Sequence, residues 1–100
     1  MKFYANRSRV GTAGTAVALS AATGSPDAKI KFIQVSARTG NSAIIYFGTS
    51  GVSSTLGYEL SANDNVTIDL IGSVGSLPFA DFYADASAND QDIDWVIVTE

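Results

Sequence analysis

Ile93-Asp94-Trp95-Val96-Ile97-Val98 decides the fold class of this chain. Residues two apart share one face of a β-strand, so Ile93, Trp95 and Ile97 fall together on one side, as in a strand buried on one face. Val66-Thr67-Ile68-Asp69-Leu70 has the same period, and so does Phe82-Tyr83-Ala84-Asp85-Ala86. Ile30-Lys31-Phe32-Ile33-Gln34-Val35-Ser36 alternates and then slips one place at Phe32-Ile33. A β-bulge or a switch between sheets absorbs such a slip. Ile44-Ile45-Tyr46-Phe47 is apolar on both faces, as expected of a central or interface strand. Thr15-Ala16-Val17-Ala18-Leu19 is a weaker strand, because alanine is a poor strand former.

Turn-forming residues separate these runs at 11–14, 23–27, 39–42, 48–57, 62–65, 72–78 and 88–91. Their spacing of roughly 8–12 residues signals a sandwich or barrel. No segment has a convincing helical stripe with caps; the best candidate, 13–22, is weakened by Gly14, Thr15 and Val17. The expectation is an all-β protein: one domain over residues 1–100, a β-sandwich or jelly-roll-like barrel of about seven or eight strands. Its core should include Ile30, Val35, Ile68, Leu70, Phe82 and Trp95. Residues 1–11 form a candidate N-terminal interaction arm, since Phe3, Tyr4 and Val10 stand there beside Lys2, Arg7 and Arg9 and disordered tails are poor in aromatics.

The composition narrows the function. The 100 residues contain neither cysteine nor histidine. That removes disulfides, thiol nucleophiles and the commonest general base and metal ligand. Only 16% of the residues are charged, against a typical quarter, which suits a protein that works through its surfaces. The charge is split along the chain: all six basic residues and one acid lie in 1–38, and nine acids with no base lie in 39–100. Two readings account for this. Basic and acidic strands lie side by side in one sheet, or a basic N-terminal edge meets the acidic stretch 59–94 of a neighbouring copy. Six scattered bases are too sparse for nucleic-acid binding, and no stretch is long and apolar enough for a membrane helix. The first seven residues lack the apolar region of a signal peptide, so synthesis in a cytoplasm is expected.

Candidate chemistry is thin. Asp90, Asp92 and Asp94 have the spacing that opens a calcium loop, but Trp95 follows where glycine is needed, and Asp94 alternates with apolar neighbours. A solvated turn is the better reading. Glu59, Asp69, Asp81 and Asp85 occupy outward strand positions by their spacing and do not compose a glycosidase pair. Gly11-Thr12-Ala13-Gly14-Thr15 has no lysine and no following helix, so it is not a phosphate loop. The expectation is no enzyme, no cofactor and no metal. Of the aromatics, Tyr46 lies in an apolar run, whereas Tyr58 stands in a loop beside 48–57 as the candidate platform for a sugar ring.

Several stretches, taken in order, carry a resemblance. They are Gly14-Thr15-Ala16-Val17-Ala18-Leu19-Ser20, Phe32-Ile33-Gln34-Val35-Ser36-Ala37, and Gly40-Asn41-Ser42 running through Tyr46-Phe47-Gly48 to Val52. Then come Gly57-Tyr58-Glu59-Leu60 through Ile68, and Phe79-Ala80-Asp81-Phe82 with the closing strand Ile93–Val98. Over about residues 14–98 this order resembles small virion proteins of tailed bacteriophages, departing from their pattern at Asn63-Asp64, where proline-glycine is expected. The resemblance implies a structural role in the virion, made in the bacterial host cytoplasm: a capsid decoration or cement protein, or a small neck, tail or fibre component. It implies the major capsid protein or other virion proteins as partners, together with copies of itself. A trimer is favoured by analogy with capsid three-fold axes. It brings no catalytic residues. The interaction residues expected are Lys2, Phe3, Tyr4, Arg7, Arg9, Tyr46 and Tyr58. The competing class is a carbohydrate-binding module of a neck, tail or fibre that attaches to the host surface through Tyr58.

Overall fold

The computed structural model describes residues 2–22 and 28–100; the expected turn at 23–27 lies outside them. Among the described residues nine strands follow in order: β1 (Lys2–Val10), β2 (Val17–Ala18), β3 (Lys29–Ala37), β4 (Ile45–Gly48), β5 (Tyr58–Leu60), β6 (Asn65–Asp69), β7 (Leu77–Pro78), β8 (Tyr83–Ala86) and β9 (Gln91–Thr99). The two-residue strands β2 and β7 are small additions to seven larger ones. Two 3-10 turns, Leu19–Ala22 and Phe79–Asp81, interrupt them; the first is all that forms of the helical candidate.

Two antiparallel sheets result. The longer runs β1-β9-β3-β6, with β7 paired to the start of β3; the shorter runs β2-β8-β4-β5. The fold is a small β-sandwich, in agreement with the period-two reading. β9 shows why. Gln91, Ile93, Trp95, Ile97 and Thr99 are buried, while the residues between them are half-buried on the outer face. Ile30, Ile33, Val35 and Ala37 of β3 join them, and Leu19, Ile45, Leu60, Phe79, Phe82, Ala84 and Ala86 close the core from the other side. The Phe79 and Trp95 rings meet edge-on, their centres 5.1 Å apart, a favoured aromatic geometry. Ile68 packs against this core from the edge of the sheet. Leu70, expected inside, is half-buried and outside the cluster, because β6 ends at Asp69 and the chain turns away.

The slip in β3 is a bulge. Ile30 pairs with Thr99 but Phe32 pairs with Val98, so Lys31 is the extra residue. Its buried ammonium donates to the carbonyls of Ser73 and Gly75, each at 2.6 Å, and ties the 71–76 loop to the sheet. At Asn63-Asp64 the turn forms without proline-glycine: Asn63 itself adopts φ 73, a conformation asparagine tolerates, and the Asp64 carboxylate accepts from the Ser61 N–H at 3.0 Å.

Residues 2–10, the expected arm, are a strand of this chain's own sheet. They pair with β9 along their whole length, from Lys2 opposite Thr99 to Val10 opposite Gln91, without a register shift. Val10 is fully buried and Ser8 nearly so, whereas residues 2–7 are exposed. The second sheet therefore backs only the C-terminal end of β1.

Candidate functional site

The outer face of the longer sheet combines β1, β9, β3 and β6. Its rows follow from the pairing: Phe3, Val98, Phe32 and Asp69 in one; Ala5, Val96, Gln34 and Thr67 in the next; Arg7, Asp94, Ser36 and Asn65 in the third; and Arg9 with Asp92 at the end. One end of this face is thus aromatic and aliphatic, and the other is charged. Phe3 is 67% exposed and Tyr4, on the opposite face of β1, is 44% exposed.

The charged end is a ladder of cross-strand pairs. Arg9 reaches Asp92 through Nε at 2.8 Å and a second nitrogen at 3.2 Å. Arg7 meets Asp94 at 3.2 Å, and Arg38 reaches both oxygens of Asp94 at 3.1 and 3.2 Å. The hydrogen bond from Arg9 holds the Asp92 carboxyl below its ordinary range, against the opposing pull of partial burial, and Arg9 itself is raised by the same bond. Of the two readings of the charge split, adjacent basic and acidic strands in one sheet is the one the fold contains. The aspartates of the candidate calcium spacing are divided accordingly: Asp92 and Asp94 are held by arginines, and Asp90 sits in the turn at φ 58.

A second surface lies at the opposite edge of the sandwich, where β6 stands apart from β4 and β5. An apolar cleft of about 370 Å³ opens there, lined by Phe47, Val66, Ile68, Leu77 and Phe82, with Gly48, Thr49, Tyr58 and Asp81 also along it. Phe47 and Phe82 are stacked, their ring centres 5.8 Å apart. Tyr58 is 59% exposed, so the residue the sequence left without a packing role lies along this cleft with a carboxylate.

The other expected site residues separate. Lys2, Phe3, Tyr4, Arg7 and Arg9 share β1 and are all exposed. Tyr46 does not join any surface. It is 7% exposed, with Gly57 at the end of the 49–57 loop lying against it. Asp85, expected to point outward into water, is 2% exposed: its Oδ1 accepts the Gly14 N–H at 2.9 Å and the Ala86 N–H at 2.8 Å, so the 11–16 loop covers it. Glu59, Asp69 and Asp81 are exposed. The sequence reading missed the Arg–Asp ladder and the five apolar walls of the cleft. A signal for the ladder existed: Arg7 and Arg9 and, in reverse order, Asp92 and Asp94 share the period of two that an antiparallel pair requires. No family model, no curated protein and no solved structure matches the chain.

Proposed function

We propose that this chain is a non-enzymatic structural protein of a tailed-bacteriophage virion, a capsid decoration or cement protein. It stabilises the head through contacts with the major capsid protein, or another virion protein, and with copies of itself. Neither nucleic acid nor membrane enters this role. The observation that carries the reading is β1. Nine residues form an edge strand whose far side has no partner strand among the described residues, with Phe3 exposed beside Val98 and Phe32. Exposed edges and aromatic patches of this kind serve protein–protein contact. The sequence resemblance supplies the virion; the surface supplies a reason to assemble.

The test is immunogold labelling and cryo-electron microscopy of phage particles released by the host that carries this gene. Label distributed over the head supports a decoration protein. Label at the neck, tail or fibre moves the chain to that part of the virion, and particles without label overturn the role.

The cleft beside Tyr58 favours a second reading, a carbohydrate-binding module of a neck, tail or fibre used in host attachment. An exposed aromatic ring and a carboxylate along a concave apolar wall suit a sugar ring. A glycan-array signal abolished by Tyr58→Ala, with folding unchanged, would establish it.

A further inference from the structure

The free side of β1 has a definite hydrogen-bonding parity. The Arg7 N–H donates to Oδ1 of the preceding residue, Asn6, at 2.8 Å, so it points away from β9. On the other side of β9, the Asp92 carbonyl accepts from the Arg38 N–H and therefore faces β3. Backbone groups alternate in direction along an antiparallel strand. Hence Phe3, Ala5, Arg7 and Arg9 present their N–H and C=O groups to the open edge, and the even residues pair with β9. The other outer strands of the two sheets are shorter: β2 has two residues, β5 three and β6 five. Between Phe3 and Val10, β1 has no proline, no bulge and no inward-pointing charge; its edge charges, Arg7 and Arg9, are paired with Asp94 and Asp92 on the outer face.

We infer that β1 pairs antiparallel with β1 of a second copy of this chain, across a two-fold axis at Asn6. This names the partner for the self-association proposed above and rests on that reading for the presence of a second copy. The register follows from charge and from the length of β1 that can pair. Centred on Asn6, Arg9 lies opposite Phe3 of the other copy, Arg7 opposite Ala5, and Lys2 opposite Val10, so no cation faces a cation. Phe3 and Arg9 share the outer face, where a guanidinium over a ring is attractive. Centring on Arg7 sets that arginine against its copy, and a parallel in-register pair does so at every basic position. Centring on Ala5 also keeps the cations apart, but it pairs only Lys2–Ser8 of β1 and leaves Arg9 and Val10 of the strand outside the ladder, whereas the Asn6 register pairs the strand along its whole length. In the Asn6 register the four open-edge residues of each copy exchange hydrogen bonds, and Tyr4 of one copy lies opposite Ser8 of the other. The exposed N-terminal half of each β1 thus adjoins the half backed by the second sheet. The Asn6 amide releases the Arg7 N–H as the strands meet. The two long sheets become one.

The test uses the full chain. Sedimentation should give twice the 10.4 kDa chain mass. Ala5→Pro removes an open-edge donor without touching a hydrogen bond to β9, and should halve the mass with circular dichroism unchanged. The chain has no cysteine, so Asn6→Cys supplies a single thiol. Directly opposite its copy, with Cα atoms about 4.5 Å apart in a non-hydrogen-bonded pair, it should oxidise to a covalent dimer. Tyr4→Cys, on the same face but four positions out of register with its copy, should stay monomeric under the same oxidant. A wild-type monomer at high concentration overturns the inference, as does cross-linking of Tyr4→Cys equal to that of Asn6→Cys. A trimer without the Asn6→Cys cross-link also overturns it while leaving the virion role standing, and particles without label remove the role while leaving the strand pairing standing.

Discussion

The indole N–H of Trp95 donates to the Ser8 hydroxyl at 3.0 Å, with both residues buried. The first and last strands are joined there by a side chain as well as by backbone. Ser8→Ala leaves the indole donor desolvated and unpaired, a cost of about 1–3 kcal/mol. Urea denaturation should show that loss with an unchanged slope. A loss below about 0.5 kcal/mol would mean that water reaches the indole in place of Ser8.

An appended arm is removed without harm to a fold, whereas an edge strand is not. Deleting residues 2–10 strips β9 of one neighbour along all nine residues and opens the side of the core that Val10 seals. The truncated chain should lose its cooperative thermal transition and expose Trp95, seen as a red shift in its fluorescence. A sharp transition with an unshifted Trp95 emission would show that β1 is a detachable strand lying on a complete sandwich.

The parts of this molecule that repeat with a period of two were legible, because a half-buried strand imposes that period directly on side-chain choice. Ile93, Trp95 and Ile97 fixed one core face, and the adjacent apolar pair Phe32-Ile33 marked the bulge that Lys31 provides. Loops that fold back over a sheet impose no period. Asp85 sits on the outer side of its sheet and looks exposed by alternation, yet the 11–16 segment lies against it; Tyr46, in an apolar run with no alternation to place it, is met on that side by the 49–57 segment. The cleft was half legible. Tyr58 stood out as an aromatic without a packing role, but the gap it borders arises from how far β6 stands from β5, a spacing between sheets that no local pattern encodes.

The Arg9–Asp92 pair gives acid sensitivity a sign. Asp92 is held below its ordinary value of 3.8 chiefly by the Arg9 hydrogen bond. A carboxyl depressed in the folded state binds fewer protons there than when unfolded, so stability is fully present above the unfolded value and is lost as pH falls through the folded one. Melting temperature should therefore fall as pH drops below about 4, the range where free aspartate begins to protonate. In Asp92→Asn the decline over that window should be shallower, with the starting temperature at pH 7 lower. An identical acid slope in the variant would assign the sensitivity to other carboxylates.

Gly57 is held by packing rather than by its backbone angle. A Cβ at this position would lie 2.6 Å from Val52 Cγ2 and 3.4 Å from both the Phe47 carbonyl and Tyr46 Cβ. Val52 is buried, and its branched side chain is stiff at χ1, so it has little room to turn aside. Gly57→Ala should cost about 1–3 kcal/mol through overpacking. Val52→Ala alone removes two buried methyl groups, worth on the order of 1–2 kcal/mol. The double variant should lose less than the sum of the two, by at least about 0.5 kcal/mol, because the second change removes the atom the first collides with. Strict additivity in a denaturant-melt cycle would sink this explanation. Gly57 also immediately precedes Tyr58, so the same contact sets where the ring lies beside the cleft. Loosening the loop should raise amide exchange at 49–58 in Gly57→Ala and restore it toward wild type in the double variant.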